Sequence, residues 1–334
     1  MLDSSPVSAA VISRMIVLND PGDKILVDIG RAVLALHYLA NDLIAHNSPP
    51  EPSTIWHYTT ADGLLGIVKN QQLYMSHILC MNDTEELEHG ISHILQAIDI
   101  RGRAEISDDV RKFHTALKSN LTNSLIVSNV QDIFVSCFSG ETDTLTHWLE
   151  YGRNGVGYAI GFDTIRLKAA TGQHCSFRAC VYDDRLKKRV ALVTLESAEI
   201  ELDKLIAAHG HISPEKIAEE FARIFAGIVA AYFGLIFKNS IFEPEREWRL
   251  LTILEGGLVS TFDSRANEIR EIVKLPIHMS NANLSPIVEI KIGSNRDERL
   301  RDIGAAVITK LLSKEPQSNW KVKVSVSRSP YRSS

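Results

Sequence analysis

Short runs of β-branched and aromatic residues recur along the whole chain, from Thr54–Thr59 (TIWHYT) to Trp320–Ser327 (WKVKVSVS), with helical-period segments between them at irregular intervals. No other feature constrains the fold as much. Regular strand–helix alternation would predict a doubly wound parallel sheet, whereas this irregular interposition predicts an α+β chain. Further strands are predicted at Leu73–Ser76, Asp132–Ser139, Val156–Phe162, Cys175–Tyr182, Glu247–Leu254 and Ile287–Ile292. Apolar spacing and caps predict helices over 24–46, from Thr60 through Asn70, and from Asn82-Asp83 onward in a charged stretch to about Leu121. Others are predicted over Leu145–Tyr151, over 186–238 with a break near His209–Pro214, and from Asp297 to Lys314. The apolar run Ile224–Phe237 is shorter than the roughly 20 residues a bilayer span needs, so it predicts a core helix.

Composition narrows the class. With 45% hydrophobic residues, 23% charged and a net charge of −5, the chain is neither disordered nor collagenous, and it lacks the basic excess of a non-specific nucleic-acid binder. Its 4 cysteines are too few and too irregular for a disulfide scaffold. Cys175 and Cys180 do not form a CxxC, and no second Cys/His pair completes a zinc site with His174 and Cys175. The N-terminus has neither the basic start nor the apolar run of a signal peptide, which predicts a soluble, cytoplasmic protein. Neither GxGxxG after a strand nor GxxxxGK[ST] is present, so dinucleotide-fold and P-loop phosphate sites are not expected.

Three blocks carry the residue types that chemistry needs. In Trp56-His57-Tyr58-Thr59, strand alternation sends His57 to the face opposite Trp56 and Tyr58. His57 is either a ribose or proton ligand, or a core histidine bonded to a backbone carbonyl. In the second block Ser136-Cys137-Phe138-Ser139 precedes Trp148, Tyr151 and Arg153. Trp148 and Tyr151 form either a core pair or a platform for a planar ring. The third block runs from Lys238 to Arg249. Alternation there would put Glu245, Glu247 and Arg249 on one strand face, either as a solvated edge or as a carboxylate presented at a cleft with Arg249 holding it.

Taken in order, His57-Tyr58-Thr59 with Gly63, Leu64, Ile67 and Leu73, Asn82-Asp83 with Glu86, Ser136–Ser139, Trp148–Tyr151–Gly155–Val156, Phe242–Glu245–Glu247–Trp248–Arg249 and Ile287–Gly293 resemble a bacterial family known as domain of unknown function 2971, across roughly residues 54–310. The opening is also similar to the first β-α-β unit of ADP-ribosyltransferases. That resemblance implies an ADP-ribosyltransferase-like fold, with a split, mixed or antiparallel sheet core and helical insertions, and NAD as substrate. It implies that His57 holds the nicotinamide-side ribose, with Tyr58, Thr59, Asn82, Ser139 and Arg249 helping to hold the dinucleotide. Tyr74, Trp148 or Tyr151 would supply the stacking ring, and Glu247 would promote departure of nicotinamide. An oxocarbenium-like centre is stabilised by such a carboxylate, and no metal is expected. The implied partners are a protein or nucleic-acid acceptor and, for a toxin or antiphage-defence effector, an antitoxin or defence-system partner, with no membrane.

The reading requires His57 and Glu247 to face one cleft lined by Trp148 or Tyr151. Its alternatives are an NAD glycohydrolase on the same fold and a non-catalytic binding module in which His57 and Glu247 are structural. A nuclease using Asp83, Glu245 and Glu247 as metal ligands is weaker, since no lysine or histidine stands at the usual spacing. The expected organisation is a helical extension over 1–50 and one catalytic domain over 51–334, with a helical insertion around 186–238.

Overall fold

The structure, a computed structural model, describes residues 23–80, 85–122, 132–152, 155–172, 175–254, 258–265, 268–279, 284–294, 297–314 and 319–329. The chain divides into two compact units, each assembled from three separate stretches. The first takes Met1–Pro49, His77–Ile133 and Ala179–Phe242, and the second takes Pro50–Ser76, Phe134–Arg178 and Glu243–Ser334. The segments expected as an N-terminal extension and as an insertion at 186–238 thus fall in one unit, together with His77–Ile133.

The first unit is helical: α1 (Lys24–Ala45), α3 (Glu85–Arg101), α4 (Asp108–Thr122), α7 (Asp184–Ala208) and α8 (Pro214–Ile228). Three of these starts have a clear chemical reason. Asp23 accepts from the Ile25 N–H, Asp183 from the Arg185 and Leu186 N–H groups, and Ser213 from the Lys216 N–H with Pro214 at the first helical position. On α1 the buried Ile25, Ile29, Val33, Leu36, Ala40 and Ile44 form one stripe, which packs on α7 and α8. Phe113 of α4 stacks on Phe221 of α8 with ring centres 5.2 Å apart. The apolar run after α8 is buried as predicted, through a π-helical turn at Val229–Phe233 and a last turn at Gly234–Ile236. Gly90 of α3 meets this tail so closely that a Cβ there would sit 2.2 Å from the Phe233 carbonyl oxygen.

The second unit carries the sheet: β1 (Thr54–Thr59), β2 (Gln72–His77), β3 (Ile133–Ser139), β4 (Tyr158–Asp163), β5 (Cys175–Ala179), β6 (Glu247–Ile253), β7 (Ser260–Arg265), β8 (Glu268–Pro276), β9 (Ile287–Ile292) and β10 (Lys323–Val326). The order is β10-β9-β4-β1-β3-β2-β8-β7, with β6 on β3 and β5 on β6. Pairing is antiparallel in β1/β3, β1/β4, β4/β9, β2/β8 and β7/β8, and parallel in β9/β10. The fold is therefore α+β with a mostly antiparallel sheet. Helices α2 (Ala61–Asn70), α5 (Leu145–Glu150), α6 (Thr164–Thr171) and α9 (Glu298–Leu312) complete the unit. As predicted, Thr60 caps α2, accepting from the Gly63 N–H at 3.2 Å. The register Trp56↔Ser139 and His57↔Ile160 fixes which side chains share a face, and the site depends on it.

Candidate functional site

On β1, Trp56 and Tyr58 turn to one face, where they pack with Trp148 of α5 and Ala159 of β4. His57 turns to the other, against Phe138 with ring centres 5.6 Å apart, and its Nδ1 lies 3.0 Å from the Cys137 carbonyl oxygen. On β6, Trp248 stacks on Phe177 at 5.1 Å, and Phe177 in turn meets Phe138. Trp248 thus shares the His57 side, and alternation sends Glu247 and Arg249 to the opposite one. His57 and Glu247 do not face one cleft. His57 is half-buried, and its Nδ1 meets a backbone carbonyl as its alternative reading described.

Glu247 is 6% exposed and Arg249 1%, so β6 is buried throughout and is no solvated edge. The Arg249 guanidinium donates twice to the Glu247 carboxylate, Nε to Oε1 at 2.8 Å and a terminal nitrogen to Oε2 at 3.1 Å. A buried bidentate pair of this kind neutralises both charges and leaves the carboxylate little capacity for a ligand.

Glu245 behaves differently. It belongs to a 3-10 turn, Ser240–Glu245, rather than to the strand, and Arg246 after it has a left-handed backbone with φ 45°. That residue breaks the strand alternation expected across Glu245 and Glu247. The segment is clipped to the end of β3. Ser139 Oγ donates to the Glu245 carbonyl at 2.9 Å while accepting from the Glu141 N–H at 3.1 Å, and the Gly140 N–H donates to the Arg246 carbonyl at 2.8 Å. The strained residue persists because these bonds hold it.

The Glu245 carboxylate, on a residue only 5% exposed, accepts from the Tyr151 hydroxyl at 3.4 Å. Tyr151, at the C-terminus of α5, remains 39% exposed. Its ring lies 5.9 Å from His147, which stacks on Tyr58 at 4.9 Å and 22°. Tyr58 meets Trp148 edge-on at 5.0 Å. Asp143 ties these groups together: its N–H donates to the Tyr58 hydroxyl at 2.9 Å, and its carboxylate accepts from Trp148 Nε1 at 2.8 Å, from the Arg328 N–H at 2.7 Å and from the Ser327 hydroxyl. Burial works to raise the Asp143 pKa, but the bonds from Ser327, the Arg328 N–H and Trp148 outweigh it and hold the carboxyl below its ordinary value. Burial pushes the Tyr58 phenol up to about 12, so Tyr58 serves as a neutral hydrogen-bonding ring.

Ser139 and Tyr151 therefore touch Glu245, while Tyr58 reaches Tyr151 through His147 and packs on Trp148. Two other expected residues do not join them. Thr59, 2% exposed, packs against Gly63, where a Cβ would sit 2.0 Å from its Oγ1. The ring of Tyr74 lies under Lys274 Nζ, 5.3 Å away on the neighbouring β8. Asn82, Asp83, Arg153 and His174 lie outside the described residues. Sequence reasoning missed His147, whose Nδ1 bonds the Thr144 hydroxyl. It stands four residues before Tyr151, the spacing that shares a helix face, and that was the available signal.

The glycines near Trp148 are packing residues. A Cβ on Gly152 would lie 2.6 Å from the Trp148 ring, and one on Gly293 would lie 2.0 Å from the Gly155 carbonyl oxygen. The four cysteines are free, and burial pushes the Cys175 thiol up to about 11, away from reactive thiolate chemistry. Among the described residues, no helix is long and apolar enough to cross a membrane.

No curated protein and no solved structure matches this chain. Residues 147–250, which open on His147 and include Tyr151, Glu245 and the Glu247–Arg249 pair, match the family model described as "Protein of unknown function (DUF2971)".

Proposed function

We propose that the sheet-bearing unit acts on NAD as an ADP-ribosyltransferase, with Glu245 rather than Glu247 as the carboxylate at the reacting ribose. The observation that carries this reading is the Tyr151–Glu245 contact at 3.4 Å, where an exposed aromatic ring meets an anchored carboxylate. A pyridinium ring is attracted to an aromatic face. Once the nicotinamide bond stretches, positive charge builds on the ribose, and a fixed carboxylate nearby stabilises it electrostatically. His147 and Tyr58 back the Tyr151 ring and hold its position. The His57–Glu247 route is not part of the proposal, because the two residues lie on opposite faces and Arg249 already neutralises Glu247. The similarity of the His57–Ser76 opening to the first unit of ADP-ribosyltransferases supports NAD as the substrate.

A second reading, a binding module without turnover, is favoured by that same neutralised pair. One experiment separates the two. The protein is incubated with isotopically labelled NAD and a cell lysate, and free nicotinamide and labelled macromolecules are measured. Transfer predicts both products, and a glycohydrolase predicts nicotinamide alone. A binding module predicts saturable NAD binding with the NAD unchanged, and absence of binding overturns all three.

A further inference from the structure

The helical unit holds a second constellation, independent of the Tyr151–Glu245 site. His89 and His93 are four apart on α3, so they lie one above the other on the same helix face. Asp184 opens α7, just after its Asp183 cap. One donor atom from each of these three residues lies within 4.8 Å of the other two. We propose that His89, His93 and Asp184 bind a divalent transition-metal ion of the zinc type, joining the start of α7 to the middle of α3.

The strongest support is His93. It is 8% exposed, and neither of its ring nitrogens has a hydrogen-bond partner. A buried polar group without a partner costs about 1–3 kcal/mol, and most are satisfied in folded proteins. A metal ion among these three donors would take one of the two ring nitrogens.

The donor set decides the class of ion. Two imidazoles and one carboxylate suit zinc, iron(II) or cobalt(II), whereas magnesium and calcium require oxygen ligands throughout. Three protein ligands leave the remaining coordination positions to water or another small ligand. Asp184 gives access from solvent, since its side chain is 63% exposed.

Lys187 stands at the site and must be accounted for. It is 0% exposed, and its ammonium lies 2.6 Å from Asp184 Oδ1, 3.1 Å from His89 Nε2 and 2.8 Å from the Lys238 carbonyl oxygen. The ammonium therefore compensates Asp184 where the cation would bind. Loading the site displaces it, so removing the Lys187 charge should tighten binding.

Cobalt(II) is the probe: it is titrated into chelator-stripped full-length protein and followed by visible absorption, with retained ion counted by elemental analysis. The expected result is one ion per chain with a ligand-field band. Replacing both histidines by glutamine should abolish the band, Asp184→Asn should weaken binding at least about tenfold, and Lys187→Met should tighten it. Absence of stoichiometric binding to the wild-type protein, or undiminished binding by the double histidine variant, overturns the proposal. If a variant fails to fold, X-ray absorption of zinc bound to the wild-type protein decides: two imidazoles in a nitrogen–oxygen shell support the site, and any sulfur ligand overturns it.

Discussion

Glu245 and Glu247 are two residues apart and both buried, and the left-handed backbone of Arg246 between them breaks the strand alternation. Glu247→Gln leaves the Arg249 guanidinium buried against a neutral amide, which should cost about 3–5 kcal/mol of stability in urea unfolding. Glu245→Gln is isosteric and keeps an amide oxygen that can accept from the Tyr151 hydroxyl, and urea unfolding of the variant sets the stability at which its chemistry is compared. Tyr58 gives a pH test. The fold favours its neutral phenol, with a pKa raised from 10.0 to about 12. Its contribution is therefore complete below pH 10 and lost as the pH rises toward 12. Unfolding followed across that window should show this loss, and Tyr58→Phe should remove it. At this scale the face a side chain takes was legible in the sequence and its partners were not. Alternation correctly separated His57 from Trp56 and Tyr58, but no local pattern reveals that the Cys137 carbonyl takes one ring nitrogen of His57 or that Arg249 takes the Glu247 carboxylate.

The elements were most legible where burial is one-sided or complete. Strand β1, the cap at Thr60, helix α2, strand β3 and the break at His209–Pro214 all follow from apolar spacing and capping chemistry. The hairpin β7–β8 does not. Phe262 and Ile269 are 72% and 79% exposed, and STFDSR offers no buried face for a period-two pattern to mark. Two glycines show how differently one substitution acts on two helices. A Cβ at Gly66 of α2 meets nothing within 4 Å, so Gly66→Ala should raise stability by about 0.5–1 kcal/mol. At Gly90 the added atom runs into the Phe233–Gly234 backbone, so Gly90→Ala should cost about 1–3 kcal/mol or more. Thermal melts of the two variants, compared with wild type, read both signs.

For the molecule as a whole, the division of each unit into three stretches was not readable from the sequence, because it rests on contacts between segments far apart in the chain. Helix α1 was expected to be an extension, yet Ile29 and Val33 are 0% exposed and Leu36 2%, on the stripe that meets α7 and α8. Removing residues 1–49 should therefore expose the apolar faces of α7 and α8 and end cooperative unfolding, with binding of a hydrophobic dye as the readout. Whether Tyr151 and Glu245 form the reacting site for NAD is decided by nicotinamide release from the wild-type protein and from Glu245→Gln at matched stability. Release by the wild type is expected, with a loss of about a hundredfold or more in Glu245→Gln. Equal release by the two proteins, or neither NAD binding nor release by the wild type, would contradict it.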